Sequence, residues 1–230
     1  ALRLDVSFVL LCGDIYDGAR YGVRGRVALR RAVDKLLENG IAVALVLGNH
    51  DAKSDWKARE ELAPGTVIFD TDRVERAQLI TKCGSPVWLY GTSIEGPSLG
   101  ENTLREFARG TEPGLHIGML HAEVGGARAE HQTHNSCSLS QLVSAGLDYW
   151  ALGHIHKSEV LSEASPVVIY SGNLQGRSAK TGELGAKGAY CVEVEGGIIR
   201  GWEFVPCDDV RFLRLSVDVG GLEPADPVDD

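Results

Sequence analysis

The sequence predicts an α/β fold on three observations. Short apolar runs rich in β-branched residues recur along the chain, a stretch with near-helical apolar spacing separates the first two, and four of the runs lead directly into polar, metal-capable side chains. The four runs are Phe8–Cys12 before Gly13-Asp14, 43–47 before Gly48-Asn49-His50-Asp51, 117–120 before His121, and 149–152 before Gly153-His154-Ile155-His156. Runs of this kind read as strands covered on both faces, and open α/β sheets gather ligands at the carboxyl ends of such strands. A metal site built on strand ends is the expectation.

Taken in order, the chain begins at Ala1, its one methionine is Met119, and no strand precedes Val6. It reads as a fragment lacking its natural N-terminus. After the strand at Phe8–Cys12, Val27, Leu29, Val33, Leu36 and Leu37 recur at helical spacing, and Asn39-Gly40 supplies a stop before the next strand. Short strands are predicted at 66–69, 78–80 and 87–92. Thr103 with Glu106 offers a capping box for a helix ending near Gly110, and Ser138 with Gln141 repeats that signature before Leu142. From Val167 the texture changes to strands and turns, with strands at Val167–Tyr170, 189–195, 198–204 and 210–218, which reads as an antiparallel finish. The domain reading is a core over 1–206, then a C-terminal strand and an acidic, proline-containing linker over 207–230.

Composition narrows the function. With 230 residues and 43% apolar content, one sizeable core is the default. No apolar stretch approaches the roughly 18 to 20 residues of a membrane span, and no secretory leader opens the chain. The five cysteines are odd in number, widely spaced and never in a C-x-x-C pair, so neither a disulfide framework nor a thiolate zinc site is indicated and a reducing cytoplasm is expected. A formal charge of −9 argues against holding nucleic acid by bulk electrostatics. If the substrate is polyanionic, metals or a partner must supply the attraction.

Carboxylate, amide carbonyl and imidazole groups suit divalent ions of intermediate hardness, Mn²⁺, Fe²⁺ or Zn²⁺, and the absence of thiolates among them favours an open catalytic centre over a closed structural one. An aspartate with two oxygens can bridge two ions, and ions about 3.5 to 4 Å apart activate water and neutralise a phosphoryl transition state. Asp14 is the natural bridge. The other histidines and Trp56 fit plainer roles. His116 begins a strand, His131 and His134 sit in a polar loop, and Trp56 covers a helix or loop. Arg177, Lys180 and Lys187 lie in a glycine-rich stretch whose default is a solvated loop, although they could touch phosphates.

The motifs GD-x-x-D at 13–17, GNHD at 48–51, GMLH ending at His121 and GHIH at 153–156 together resemble the signature of the calcineurin-like metallophosphoesterases. The stretch YWALGHIH at 149–156, followed by YSGNLQGR at 170–177, is similar within that superfamily to bacterial DNA-repair exonuclease subunits of SbcD or YhaO type. The resemblance implies a four-layer αββα sandwich, here lacking its first strand. It implies two divalent ions, Mn²⁺ above all, with Asp14 bridging them, Asn49, His121 and His154 completing one, and His156 serving the other. His50 would act near the leaving oxygen, Asp51 would hold it charged or oriented, Asp17 would give outer support, and Asn173 and Arg177 would contact substrate. The family's opening Asp-x-His motif, which supplies two further ligands on the His156 side, does not occur before Asp14.

The expected function is therefore a metal-dependent phosphodiesterase, a DNA exonuclease or endonuclease subunit acting in repair, with DNA as substrate and an SMC-like ATPase or a second copy of the chain as partner. The alternatives are a degenerate subunit that docks a partner, or a phosphoesterase of small nucleotides or phosphoproteins. Against a phosphoprotein substrate, 13–18 lacks the arginine of the G-D-x-V-D-R-G form.

Overall fold

Residues 1–16, 22–51, 57–71, 73–94, 103–125 and 136–218 are described by the computed structural model. Their elements, in chain order, are β1 (Phe8–Cys12), α1 (Val23–Glu38), β2 (Ala42–Val46), α2 (Ala58–Glu61), β3 (Val67–Ile68), β4 (Glu75–Ile80), β5 (Pro86–Gly91), α3 (Thr103–Glu106), β6 (Leu115–His121), β7 (Glu123–Val124), β8 (Ser136–Cys137), α4 (Leu139–Ser144), β9 (Tyr149–Gly153), β10 (Glu159–Ser162), β11 (Val167–Tyr170), β12 (Gly188–Glu195) and β13 (Ile198–Pro206).

Strands β1-β2-β3 form a parallel sheet. A second sheet runs β10-β11-β9-β6-β5-β4, with β11, β9, β6 and β5 parallel and an antiparallel strand at each edge. The two-residue period of a strand sends alternate side chains to opposite faces, and both sheets are apolar on both. On β2, Ala44 and Val46 face the second sheet, meeting Leu89, Ile117, Met119 and Ala151, while Val43 and Leu45 meet Val33 and Leu29 of α1. On β9, Tyr149 and Ala151 face inward, while Trp150 and Leu152 pack with Phe107 and Leu142 near α3 and α4. The layers are thus α1, the three-stranded sheet, the six-stranded sheet, and α3 with α4, the expected αββα order. A hairpin of β12 and β13 adds Tyr190, Val192 and Trp202 to the edge of the central core. Burying one such Val or Leu side chain stabilises by about 1.5–3 kcal/mol.

Local chemistry sets the helix ends. Asn39 closes α1, its Nδ2 donating to the Lys35 carbonyl at 2.8 Å, and Gly40 turns the chain away with a φ of 68°. Ser138 and Gln141 form the predicted capping box of α4.

Four expectations need correction. The predicted buried strand β1 is half-buried, because among the described residues it pairs only with β2 and lies at a sheet edge. The finish from Val167 is not wholly antiparallel, since β11 runs parallel to β9. The helix predicted to reach Gly110 stops at Glu106, whose carboxylate accepts the Val74 N–H at 3.1 Å instead of capping its own helix. The predicted strand at 210–218 makes only a single bridge, Phe212 with Leu184, and Leu213, Leu215 and Val217 are exposed. Its alternation is strand-like, but no edge among the described residues pairs with it.

Candidate metal centre

The parallel registers bring four strand ends together. In the first sheet Cys12 of β1 is level with Val46 of β2, and in the second His121 of β6 is level with Gly153 of β9. The ends of β1 and β6 are joined by His121 Nδ1, which donates to the Cys12 carbonyl at 2.9 Å, while Cys12 Sγ donates to the Ala151 carbonyl at 3.3 Å. Contact this close leaves no room for a Cβ at two motif glycines. One on Gly153 would fall onto the Cys12 carbonyl, and one on Gly48 onto Asp14 Oδ1.

Four ligand-type atoms converge there. His121 Nε2 lies 3.3 Å from Asp14 Oδ2, 3.1 Å from Asn49 Oδ1 and 3.3 Å from His154 Nδ1. The side chain of His121 is fully buried. With Nδ1–H engaged by a carbonyl, the tautomer selected for a neutral His121 ring is the one that presents a bare lone pair at Nε2. That lone pair faces a carboxylate oxygen and an amide oxygen, which is repulsive unless a proton or a cation lies among them. Asp14, His121 and His154 place their ligand atoms within 4.8 Å of one another, and the mixed O/N donor set suits a divalent ion of intermediate hardness. The residues present fit a metal.

The backbone is strained where it carries two of these side chains. Asp14 has a φ of 50° and His154 of 93°, in a region that side chains other than glycine rarely adopt and that clusters at functional sites.

Charge supports the same picture. Burial works to raise the Asp14 carboxyl, but the hydrogen bond and charge of His121, together with the N–H and ring of His50, outweigh it and hold the group below its ordinary value. Burial and the neighbouring His121 hold the His154 imidazole below its ordinary value.

Asp51 is 3% exposed and ties the two loops together. Its Oδ2 accepts the Gly48 N–H at 2.9 Å and the Ile15 N–H at 3.2 Å, and its Oδ1 accepts the Tyr16 N–H at 3.0 Å. Burial, only partly offset by those N–H groups, leaves its carboxyl raised. His50 stands between Asn49 and Asp51, its N–H donating to Asp14 Oδ1 at 3.0 Å.

His156 lies outside the four-atom cluster and is held from behind. Its Nδ1 is 2.7 Å from Glu183 Oε1. Asn173 Nδ2 donates to Glu183 Oε2 at 2.8 Å and Arg177 N at 3.2 Å, so both predicted substrate-binding residues converge on this carboxylate. Burial opposes the charge of Glu183, but Asn173, His156 and Arg177 hold its carboxyl at about 2. Lys187, expected in a solvated loop, is 3% exposed, and its Nζ donates to the His156 carbonyl at 2.8 Å and the Gly182 carbonyl at 2.6 Å. Burial lowers its ammonium pKa, against the pull of Glu183 and Asp208. Sequence reasoning missed Glu183; polar residues in a glycine-rich segment give no periodic signal. Asp17, Trp56, His131 and His134 lie outside the described residues.

His116, as expected, starts in a strand and is structural. It is fully buried, its Nε2 donating to the Glu112 carbonyl at 2.9 Å and its Nδ1 accepting from the Tyr90 hydroxyl at 2.8 Å.

A four-layer sandwich that brings O and N groups of metal-ligand type to four strand ends is a scaffold suited to a metal-dependent enzyme. The calcineurin-like phosphoesterase family matches residues 2–158, which span β1 through the GHIH turn. The chain belongs to the calcineurin-like phosphoesterases, a family of enzymes that use divalent metals. It is similar to the uncharacterized metallophosphoesterase YhaO of Bacillus subtilis (strain 168), with 37% identity over 219 residues that cover 95% of this chain and 53% of that protein. The chain thus spans about half the length of that curated relative.

Proposed function

We propose that this chain is the catalytic core of a two-metal phosphodiesterase that cleaves DNA. The observation that carries the proposal is the convergence of Asp14 Oδ2, Asn49 Oδ1, His121 Nε2 and His154 Nδ1 around one point at the strand ends. These four residues would hold one ion, and Asp14 with His156 would contribute to a second; Mn²⁺ is the ion of choice. Bound ions would supply Lewis-acid stabilisation of the phosphoryl group and lower the pKa of an attacking water.

The protein's own groups do the rest. His50, on the loop pinned by Asp51, donates a proton to the departing oxygen or stabilises its charge. The Nδ1–H of His121 is spent on Cys12 and that of His156 on Glu183, so neither ring competes as a proton donor from that nitrogen. Asp51 keeps the 13–16 and 48–51 loops in register, so that ligand and proton donor act at one place.

DNA is the preferred substrate because YSGNLQGR at 170–177 resembles the exonuclease subunits. With a net charge of −9, the attraction for a polyanion comes from the ions and from a partner, an SMC-like ATPase or a second copy. All five cysteines are free thiols, in keeping with a cytoplasmic setting, and no helix among the described residues is long and apolar enough to cross a membrane.

Hydrolysis of bis-p-nitrophenyl phosphate, a p-nitrophenyl phosphomonoester and linear duplex DNA by the intact protein in Mn²⁺ tests the proposal. Diester and DNA cleavage that disappears in His154→Ala is expected. A DNA signal at background beside brisk monoester turnover would overturn the nuclease assignment.

A further inference from the structure

We infer that Glu183 is a positioning residue that sets the tautomer and orientation of His156. The inference rests on the proposed role of His156 as a ligand and extends it to Glu183 and Lys187, which lie in none of the motifs.

Two ionisable side chains are buried in a segment with little apolar cover. Glu183, at the end of the 3₁₀ turn Thr181–Glu183, is 6% exposed, and Lys187, four residues on, is 3% exposed. Charges leave water at a cost that an ordinary surface pair does not repay. Both groups are aimed at the same residue. The carboxylate takes the ring nitrogen of His156 at 2.7 Å, and the ammonium takes its backbone carbonyl at 2.8 Å. Asn173 contributes to both arms, its Nδ2 donating to Glu183 at 2.8 Å and its N–H to the His156 carbonyl at 3.3 Å. Lys187 also grips the Gly182 carbonyl at 2.6 Å, one residue before Glu183. The carboxylate and the histidine are therefore mounted on a single buried clamp.

A carboxylate can only accept, so Nδ1 of His156 carries a proton, and the tautomer this selects for the neutral ring leaves Nε2 with its lone pair. The second metal-side histidine, His121, has the same arrangement with the Cys12 carbonyl as acceptor. Outer acceptors of this kind orient a ligating imidazole and raise its basicity, and losing one typically weakens metal binding 10- to 100-fold. Asn173 and Arg177 belong to this support: both donate to Glu183, through the Asn173 amide and the Arg177 backbone N–H.

The test uses the intact protein. Long-range ¹H–¹⁵N NMR on the metal-free state, with His156 assigned by its loss in His156→Gln, reads the tautomer directly. The wild type is expected in the Nδ1–H form. Glu183→Ala is expected to become a mixture, and Glu183→Gln, which keeps the volume and one acceptor oxygen, to recover the wild-type tautomer in large part. Calorimetric titration with Mn²⁺ should show one ion weakened about 10- to 100-fold in Glu183→Ala, and the ion held by Asp14, Asn49, His121 and His154 unchanged. A wild-type His156 in the Nε2–H form overturns the inference whether or not any variant folds. So does Mn²⁺ affinity that is indifferent to Glu183. A wild-type protein that takes up no second ion refutes the two-metal assignment itself, and is seen before any variant is made.

Discussion

His121 Nδ1 lies 2.9 Å from the Cys12 carbonyl, joining the last residue of β6 to the last residue of β1 and so one sheet to the other. The same ring offers its other nitrogen to Asp14 and Asn49. One histidine thus joins sheet packing to the candidate metal centre, and the two contacts sit on different atoms.

That division is open to mutation. His121→Asn retains a donor on the Nδ1 side and removes the Nε2 ligand atom, whereas His121→Ala removes both. Thermal melts with and without Mn²⁺ should show that both variants lose the metal-induced rise in Tm. His121→Asn should keep more metal-free stability, by about 1 kcal/mol for the retained hydrogen bond. Equal loss in the two would mean that the Cys12 contact contributes nothing.

Gly153→Ala should be severe. Its Cβ would occupy the place of the Cys12 carbonyl, which is also the acceptor for His121, so relieving the clash forces the sheets apart. A loss of more than about 3 kcal/mol in urea unfolding, or an insoluble product, is expected. Gly40→Ala, a positive-φ glycine with open space around it, should cost about 1–2 kcal/mol for its left-handed backbone alone, and similar losses at both sites would refute the close-approach argument.

Asp51→Asn replaces one acceptor oxygen by a donor facing backbone N–H groups that cannot turn away. Losing a hydrogen bond to a charged group costs about 1.5–3 kcal/mol. Stability and Mn²⁺ affinity should fall together, because both loops carry side chains of the candidate centre. Calorimetry that finds wild-type affinity in a destabilised Asp51→Asn protein would show that the loops hold their register without it.

Thiol chemistry checks the packing around the centre without any metal. Burial pushes Cys12 and Cys137 up to about 12, whereas hydrogen bonds from Thr81 and Ser85 lower the exposed Cys83. Only the thiolate alkylates, and a raised pKa keeps that form scarce through neutral and mildly alkaline pH. Brief iodoacetamide treatment at pH 8, read by peptide mass, should label Cys83 well before Cys12 or Cys137. Early labelling of Cys12 would mean that the seam between the sheets is open.

The strand ends were legible because two signals coincide there: a strand period that stops, and glycines where another chain segment approaches too closely for a side chain. Asp14, Asn49, His121 and His154 follow such strand ends, and the family resemblance singles them out as one set. The strand β10 and the pairs β7 and β8 were not legible, being short and largely polar. The stretch at 210–218 shows the converse, since alternation describes a strand's faces and says nothing of whether an edge awaits it. Glu183 and Lys187 were illegible for a different reason: in the chain they are two charges among glycines, and only the fold turns both toward His156.

The most direct test is anomalous diffraction at the manganese edge from crystals of the protein soaked in MnCl₂. A peak within about 2.0–2.3 Å of Asp14 Oδ2, Asn49 Oδ1, His121 Nε2 and His154 Nδ1 is predicted, and it should vanish in His154→Ala. Crystals with wild-type ligands and no peak among those four atoms would contradict the account.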